Sequence, residues 1–349
     1  MGLIKNSSIV IAGAIISSII GYISFIYIGR NLTPNEFGIF GALLALFTLI
    51  SLPALATGAI SNKFAAKFSS KKEYGKISFL RKILSKYVLA YIIILISTVL
   101  LFSRHILNYL KITNLSYLSL MSLSFVFLML AQSNKGILQG LKKFRVHSLN
   151  RVLESFLKLI FLVILFYLGF GINGAILSLG LSYIFSFFFI LFFIREIKGN
   201  EKINLKPVLN FFFLVLIINL VLQGLLNLPA FFIKHYFSSE FTGYWIAALN
   251  LAKLTLLFTT GISFAMSPEI ASRENKIEQK RFFKLAFTLN LIASILIALT
   301  FLIIPEFVIS LSYGANYLPS ANLLKLLGIA MVFFSSLQIY LSYWLASWE

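Results

Sequence analysis

The strongest constraint on this chain is a series of apolar stretches, each long enough to cross a lipid bilayer. A transmembrane helix needs roughly 17–25 such residues. Lipid offers no hydrogen-bond partner to an open strand edge, so each stretch is predicted to be a helix. The sequence therefore predicts an all-α, polytopic integral membrane protein with about ten transmembrane helices. The predicted spans are 8–28, 38–60, 87–106, 116–134, 152–170, 173–194, 208–233, 243–266, 284–304 and 320–341.

The chain also repeats itself at a shift of 205 positions. The stretch IYIGRNLTPNEFGIFGALLALFTLI from Ile26 aligns with FFIKHYFSSEFTGYWIAALNLAKLT from Phe231, in the same order of apolar and polar segments. Such repeats are typical of secondary transporters, whose substrate path lies between them. We therefore expect two lobes around a central cavity, residues 1–206 with six spans and 207–349 with four. A complete repeat needs two more helices, so the second lobe is expected to be truncated; a genuine ten-span protein is the alternative.

The formal net charge of +19 is distributed unevenly along the chain. Of the 30 Lys and Arg residues, 23 fall on one side of the predicted spans, 4 on the other and 3 within them. Because basic residues stay on the cytoplasmic side, the N-terminus is predicted to be cytoplasmic. The basic loops are expected to contact anionic lipid head groups, and nucleic-acid binding is not expected. Within 61–86, the pattern KISFLRKILSKYV predicts a separate amphipathic helix on the membrane surface.

Several residue types are absent, and this limits the chemistry. The chain has no Cys and no Asp, and its 3 His lie in different predicted loops. No metal-ligand spacing, Gly-rich phosphate loop or nucleophile motif occurs. A transporter rather than an enzyme is therefore predicted, with no cofactor. No small-x-small cleavage site follows the first span, so that helix is expected to be retained.

Three amide side chains lie on the seventh predicted span, at Asn219, Gln223 and Asn227. The spacing i, i+4, i+8 places them on one helix face. Polar groups inside a membrane are costly, so this face is not expected to contact lipid. Two interpretations remain open: hydrogen bonds to a neighbouring helix, or the wall of a wet cavity that accepts sugar hydroxyls.

Charged residues occur in two further spans. On the eighth, Asn250 and Lys253 are three residues apart, and Lys253 lies near the middle of the span, where a charge is least favourable. Three interpretations of Lys253 remain open: a cation that lines a cavity, a buried partner of a Glu, or a neutral lysine. On the fifth, Arg151, Glu154 and Lys158 share one face. Glu154 and Lys158 have the favourable order for a local ion pair; the alternative is a rim that contacts a phosphorylated head group.

Arg30 closes the first span on the predicted outer side, where either packing or binding would explain it. Lys325, near the outer end of the tenth span, is expected to extend its ammonium group toward water.

Four stretches together resemble Wzx-type oligosaccharide flippases of the multidrug/oligosaccharidyl-lipid/polysaccharide exporter superfamily. They are GRNLTPNEFGIFGALLAL at 29–46, GILQGLKKFRVHSLNRVLESFLKLI at 136–160, FIKHYFSSEFTGYWIAALNLAKL at 232–254 and LSYGANYLPSANLLKLLGIAMV at 311–332. Each motif alone is weak, but their order and spacing are fairly specific and cover essentially the whole chain.

The resemblance implies two six-helix lobes and a cavity that opens alternately to each side, although family members usually have about 12 to 14 helices. It implies transport of undecaprenyl-pyrophosphate-linked oligosaccharides across the bacterial inner membrane for O-antigen or capsule assembly, beside other polysaccharide-assembly membrane proteins. Family members often line the cavity with basic residues, which implies binding roles for Lys253 first and then for Arg30 and Lys158.

Two alternative functions are weighed against this one. A cation-coupled multidrug exporter of the same superfamily usually needs an intramembrane carboxylate, and Glu154 is the only candidate near the membrane. A membrane polymerase of the same pathway is disfavoured by the two-lobe repeat and the short outer loops.

Overall fold

The computed structural model describes residues 2–195, 197, 199, 201–271 and 275–346, and the regular elements in these ranges are all helical. The predicted all-α membrane fold is confirmed. In chain order the helices are α1 (Gly2–Asn31), α2 (Pro34–Ile50), α3 (Leu52–Ser70), α4 (Tyr74–Leu101), α5 (Ser103–Leu110), α6 (Leu115–Gly140), α7 (Phe144–Tyr167), α8 (Gly171–Ile194), α9 (Lys206–Tyr236), α10 (Ser239–Ala252), α11 (Thr255–Ala271), α12 (Lys276–Ile303), α13 (Pro305–Tyr313) and α14 (Ser320–Ala346).

Within the described ranges, eight segments are long and apolar enough to cross a membrane, and the bent pair α2–α3 makes a ninth. The predicted fifth span, α7, has 24 residues and is long enough as well. It differs from the nine spans above because Arg151, Glu154 and Lys158 lie near its middle. These three ionisable groups lower its mean hydropathy. The prediction of about ten spans is therefore approximate, and α7 accounts for the difference.

The second predicted span is not straight, because α2 and α3 meet at an angle of 50°. Ser51 separates them, and Pro53 lies in the first turn of α3, where its missing N–H interrupts the backbone ladder. The Tyr91 hydroxyl of α4 donates a hydrogen bond to the Ile50 carbonyl, at 2.5 Å. This contact satisfies a backbone group that the bend exposes.

The separate surface helix predicted within 61–86 is wrong. Residues 74–86 form the first half of α4, which continues without a break into the third span. The chain instead turns before this segment, at Lys72, whose φ of 60° ends the run of α3. No Gly or Pro lies between Lys76 and Leu101, so the basic, amphipathic half and the apolar half form one 28-residue helix.

The helix order of α1–α6 recurs in α9–α14. In both series a long helix is followed by a pair that breaks in mid-span, then by a 28-residue helix, a short helix of eight or nine residues, and another long helix. This agreement supports the internal repeat. Contacts divide the chain differently, into residues 1–24 with 35–242 and residues 25–34 with 243–349. The division into lobes at residue 206 stays a prediction.

In the first compact unit, α3 and α6 approach closely through glycine. A Cβ atom added to Gly136 of α6 would overlap the Gly58 carbonyl oxygen and lie 2.8 Å from the Ser61 Cβ of α3. A Cβ at Gly140 would lie 2.7 Å from the Ala65 Cβ. Small residues let membrane helices make many dispersion contacts where apolar burial gives no net gain. The α3–α6 contact therefore depends on Gly136.

The second compact unit contains a buried polar bridge across three helices. Asn290 of α12 accepts a hydrogen bond from the Thr259 hydroxyl of α11 at 2.8 Å and donates one to the Ser335 hydroxyl of α14 at 3.2 Å. All three side chains are buried. The bridge fixes the register of α11, α12 and α14 relative to one another.

The glycine contact gives a stability prediction. Gly136→Ala should lower the free energy of unfolding by roughly 1–3 kcal/mol, because the added methyl group forces the backbones of α3 and α6 apart. The measurement is the thermal midpoint of the purified protein in detergent. Gly21→Ala is the matched control, because a Cβ there meets nothing within 4 Å. Equal midpoints for the two variants would contradict the close contact.

Candidate functional site

Lys253, the strongest candidate from the sequence, lies at a break in the eighth span. α10 ends at Ala252 and α11 begins at Thr255. The amides of Leu254 and Leu256 donate to the carbonyl oxygen three residues back instead of four, at 2.9 Å each. This is the tighter 3₁₀ pattern, which inside a longer helix often marks a functional hinge. Interrupted spans form the substrate sites of many secondary transporters.

The Lys253 side chain is half-buried. Its ammonium group forms no hydrogen bond or ion pair with any residue that the structure describes. The predicted neighbour Asn250 donates its amide to the Tyr313 hydroxyl of α13, at 2.8 Å. Pairing of Lys253 with a buried Glu is therefore not observed within the described ranges. A binding role for Lys253 stays a prediction, while Asn250 holds α10 against α13.

The three amides on α9 bond to their own helix. Asn219 donates to the Val215 carbonyl at 2.9 Å, and Asn227 donates to the Gln223 carbonyl at 2.9 Å and to its side-chain oxygen at 3.1 Å. No side-chain hydrogen bond from these residues reaches another helix in the described part of the chain. All three are half-buried. Helix–helix hydrogen bonding is therefore not observed within the described ranges, and the wet-wall interpretation stays a prediction.

A charged cluster forms where α6 meets α7, and we call these residues the α7 cluster: Lys135, Arg151, Glu154 and Lys158. The Lys135 ammonium group lies 2.6 Å from the Glu154 carboxylate. Glu154 also interacts electrostatically with Arg151 and Lys158. The predicted local pair with Lys158 is therefore not the closest contact of Glu154.

Sequence reasoning missed Lys135 because the fourth span was predicted to end at residue 134. In the structure α6 continues to Gly140, which places Lys135 on the helix beside α7. His147 lies near the same groups, before the predicted start of the fifth span. Lys135 and Arg151 are the charged groups close to its imidazole ring.

Arg30 is held by the C-terminal end of α13. Its guanidinium group donates to the Ser312 carbonyl at 2.7 Å and to the Leu311 carbonyl at 2.5 Å. Carbonyl groups at a helix C-terminus lack partners within the helix and favour a nearby cation. The position 205 residues later is His235, whose Nδ1 donates to the Tyr109 carbonyl at the end of α5, at 2.9 Å. Equivalent positions in the repeat thus bind equivalent short helices, and a substrate role for Arg30 stays a prediction.

A cavity of about 680 Å³ opens at the start of α12. Ligand pockets commonly have volumes of about 300–1,000 Å³. The wall of this cavity carries both basic and apolar groups. Part of the wall belongs to the predicted cytoplasmic loop after the eighth span. The described lining residues are Glu278, Arg281, Phe282, Lys284, Leu285 and Thr288.

Comparison with known proteins gives one family match. Residues 3–254 match the model of a family described as polysaccharide biosynthesis protein. No curated protein matches the sequence.

Solved structures share the fold at low sequence identity. The lipid II flippase MurJ in an inward closed conformation has a TM-score of 0.75 at 18% identity, over 96% of this chain and 75% of that one. An inward-facing multidrug resistance MATE family transporter of the MOP superfamily has a TM-score of 0.74 at 14% identity, over 95% and 83%. A MOP superfamily transporter from Pyrococcus furiosus has a TM-score of 0.66 at 14% identity, over 99% and 84%. These likenesses show the fold alone.

The contacts of Arg30 predict a structural effect. Arg30→Ala should lower the free energy of unfolding by roughly 1 kcal/mol, because two helix-terminal carbonyls lose a charged donor that is partly exposed to water. Thermal unfolding of the purified protein is the measurement. Arg104→Ala is the control, because Arg104 is exposed and has no partner in the described ranges. An unchanged midpoint together with lost transport would instead assign Arg30 to substrate binding.

Proposed function

We infer that this chain, which belongs to the polysaccharide biosynthesis protein family, transports a lipid-linked oligosaccharide across a membrane. The predicted resemblance to the multidrug/oligosaccharidyl-lipid/polysaccharide exporter superfamily is confirmed by the family match and by the fold it shares with MATE transporters and MurJ. The fold is compatible with a lipid-linked oligosaccharide and with a drug as cargo, so the choice between them rests on the polar residues. The observation that carries the proposal is Lys253, a cation in mid-span without a described protein partner.

The proposed substrate is an undecaprenyl-pyrophosphate-linked oligosaccharide. Its lipid tail can remain in the bilayer, but the charged diphosphate and the sugar hydroxyls need polar partners throughout the crossing. Lys253 supplies a cation for the diphosphate. Asn219, Gln223 and Asn227 offer amide groups that their own helix does not fully use. Lys158 and Arg30 are further candidates for the anionic part of the head group.

Transport by alternating access requires that the substrate bind the two conformations with different affinity. The break at Lys253 is a place where such a change can be absorbed, because the 3₁₀ turn already departs from the helical ladder. From the distribution of basic residues we place the N-terminus in the cytoplasm. The resemblance to oligosaccharide flippases implies that the membrane is the inner membrane of a bacterium. The basic loops would contact anionic lipids, and other polysaccharide-assembly membrane proteins would act beside it.

A cation-coupled multidrug exporter is the second candidate, and the contacts of Glu154 disfavour it. A coupling carboxylate must be free to bind and release its ion. Glu154 lies 2.6 Å from the Lys135 ammonium group, and only about a fifth of each side chain is exposed, 19% and 18%. Its negative charge is therefore already used within the protein.

The proposal predicts that Lys253→Ala abolishes export of the oligosaccharide at unchanged membrane abundance. The variant removes the mid-span cation on which the proposed binding of the diphosphate depends. Lys253→Arg should restore part of the activity, because it keeps the charge with a different hydrogen-bond geometry. The measurement is surface polysaccharide in a bacterium that lacks its own flippase and expresses each variant.

Lys325→Ala is the matched control, because Lys325 is also a half-buried lysine in a predicted span without a partner in the described ranges. We expect it to keep nearly full activity. Loss of the Lys253→Ala protein from the membrane would contradict a binding role and indicate a structural one. Failure of the unmodified chain to restore surface polymer, at normal abundance, would contradict the proposed cargo.

A further inference from the structure

The α7 cluster has a defined charge. Lys135, Arg151 and Lys158 each carry one positive charge when protonated and Glu154 carries one negative charge when ionised, so in these charged forms the cluster has a net charge of +2. Lys135 and Glu154 neutralise each other at 2.6 Å. Arg151 and Lys158 form no hydrogen bond or ion pair in the part of the chain that the structure describes.

Two unpaired cations on a membrane helix are unfavourable in the absence of an anion. Arginine cannot relieve this by losing its proton, because its pKa is too high in any protein environment. The cluster is therefore most stable when a ligand brings compensating negative charge. Two negative charges neutralise it, and this is the charge of a diphosphate diester that carries uncharged sugars.

We propose that Glu154 is a specificity-determining residue, because its pairing with Lys135 sets how much negative charge the α7 cluster accepts. This inference rests on the proposed function and adds a criterion for the head group. A monophosphate diester, with one negative charge, leaves the cluster positive. A diphosphate diester with one acidic sugar, with three, makes the site negative. The diphosphate diester with neutral sugars is favoured over both.

Glu154 acts through Lys135 and not through direct contact with the head group. Arg151, Glu154 and Lys158 share one face of α7, whereas Lys135 approaches from α6. The Glu154 carboxylate neutralises the Lys135 ammonium group, so Arg151 and Lys158 are the cations left to attract the ligand. The competing explanation is that the ion pair only holds α6 against α7, and that explanation predicts no change in ligand preference.

The test is a series of variants that changes the net charge in single steps. Lys135→Gln gives +1, Glu154→Gln gives +3, and the double variant Lys135→Gln/Glu154→Gln returns to +2. Glu73→Gln is the matched control, because Glu73 forms a comparable ion pair with Lys76 at 2.9 Å outside the cluster. Each full-length protein is purified in detergent. Binding is measured for three farnesyl probes with fixed charge: a monophosphate-linked neutral sugar, a diphosphate-linked neutral sugar and a diphosphate-linked uronic acid.

The wild type, the Glu73→Gln control and the double variant should bind the diphosphate-linked neutral sugar most tightly. Glu154→Gln should shift the preference toward the uronic acid probe, and Lys135→Gln toward the monophosphate probe. Each shift should be on the order of tenfold, as expected for one unit charge at close range in a partly buried site. If Glu154→Gln is unstable because Lys135 loses its partner, the double variant and Lys135→Gln still form a valid comparison.

Each other outcome overturns a particular claim. An unchanged preference in all variants, with the wild type binding the diphosphate-linked neutral sugar, would overturn the role of Glu154 and leave the proposed function intact. A double variant that behaves like Glu154→Gln would show that the geometry of the pair, not the net charge, sets specificity. A wild type that binds none of the three probes would overturn the proposed function as well.

Discussion

In lipid, every backbone amide and carbonyl needs a hydrogen-bond partner within the protein, and the rest of this structure depends on that constraint. It explains why the described chain is built from long helices and why each interruption of a span is compensated. At the α2–α3 bend, the Ile50 carbonyl accepts a hydrogen bond from Tyr91. At the α10–α11 break, the amides of Leu254 and Leu256 bond three residues back. A break that keeps its hydrogen bonds can carry a charged side chain at membrane depth, and the second of these breaks carries Lys253.

Much of the fold could be predicted because the signals are local. The length of an apolar run fixes a span, and the order of runs and polar loops revealed the repeat that the bounds of α1–α6 and α9–α14 support. The break beside Lys253 could not be predicted, because no proline or glycine marks it. The hydrogen bonds on either side of it, from Asn250 to Tyr313 and from Thr259 to Asn290, join residues far apart in the sequence, which periodicity along one helix does not reveal.

The candidate site was predicted only in part, for a similar reason. Helix periodicity placed Arg151, Glu154 and Lys158 on one face, but periodicity on one helix cannot identify a partner on another. Lys135 lies 19 residues before Glu154, and the extra turn of α6 brings it within 2.6 Å. A residue that the sequence assigns to a basic loop thus becomes part of a charged cluster between two helices. The predicted end of the fourth span differs from the end of α6 because the composition changes gradually there.

The two cationic regions, Lys253 and the α7 cluster, differ in whether a carboxylate lies close to the cations. The chain has 30 basic residues, 11 Glu and no Asp, so carboxylates near its spans are scarce. Lys253 has no described carboxylate partner, whereas the α7 cluster contains one carboxylate among three cations. A single acid in such a set has a large effect on the net charge, because removing it changes +2 to +3. For a substrate whose head groups differ by whole charges, that step discriminates without any contact to the sugars. The proposed charge selection at the α7 cluster and the proposed anion binding at Lys253 are therefore predictions that can be tested separately.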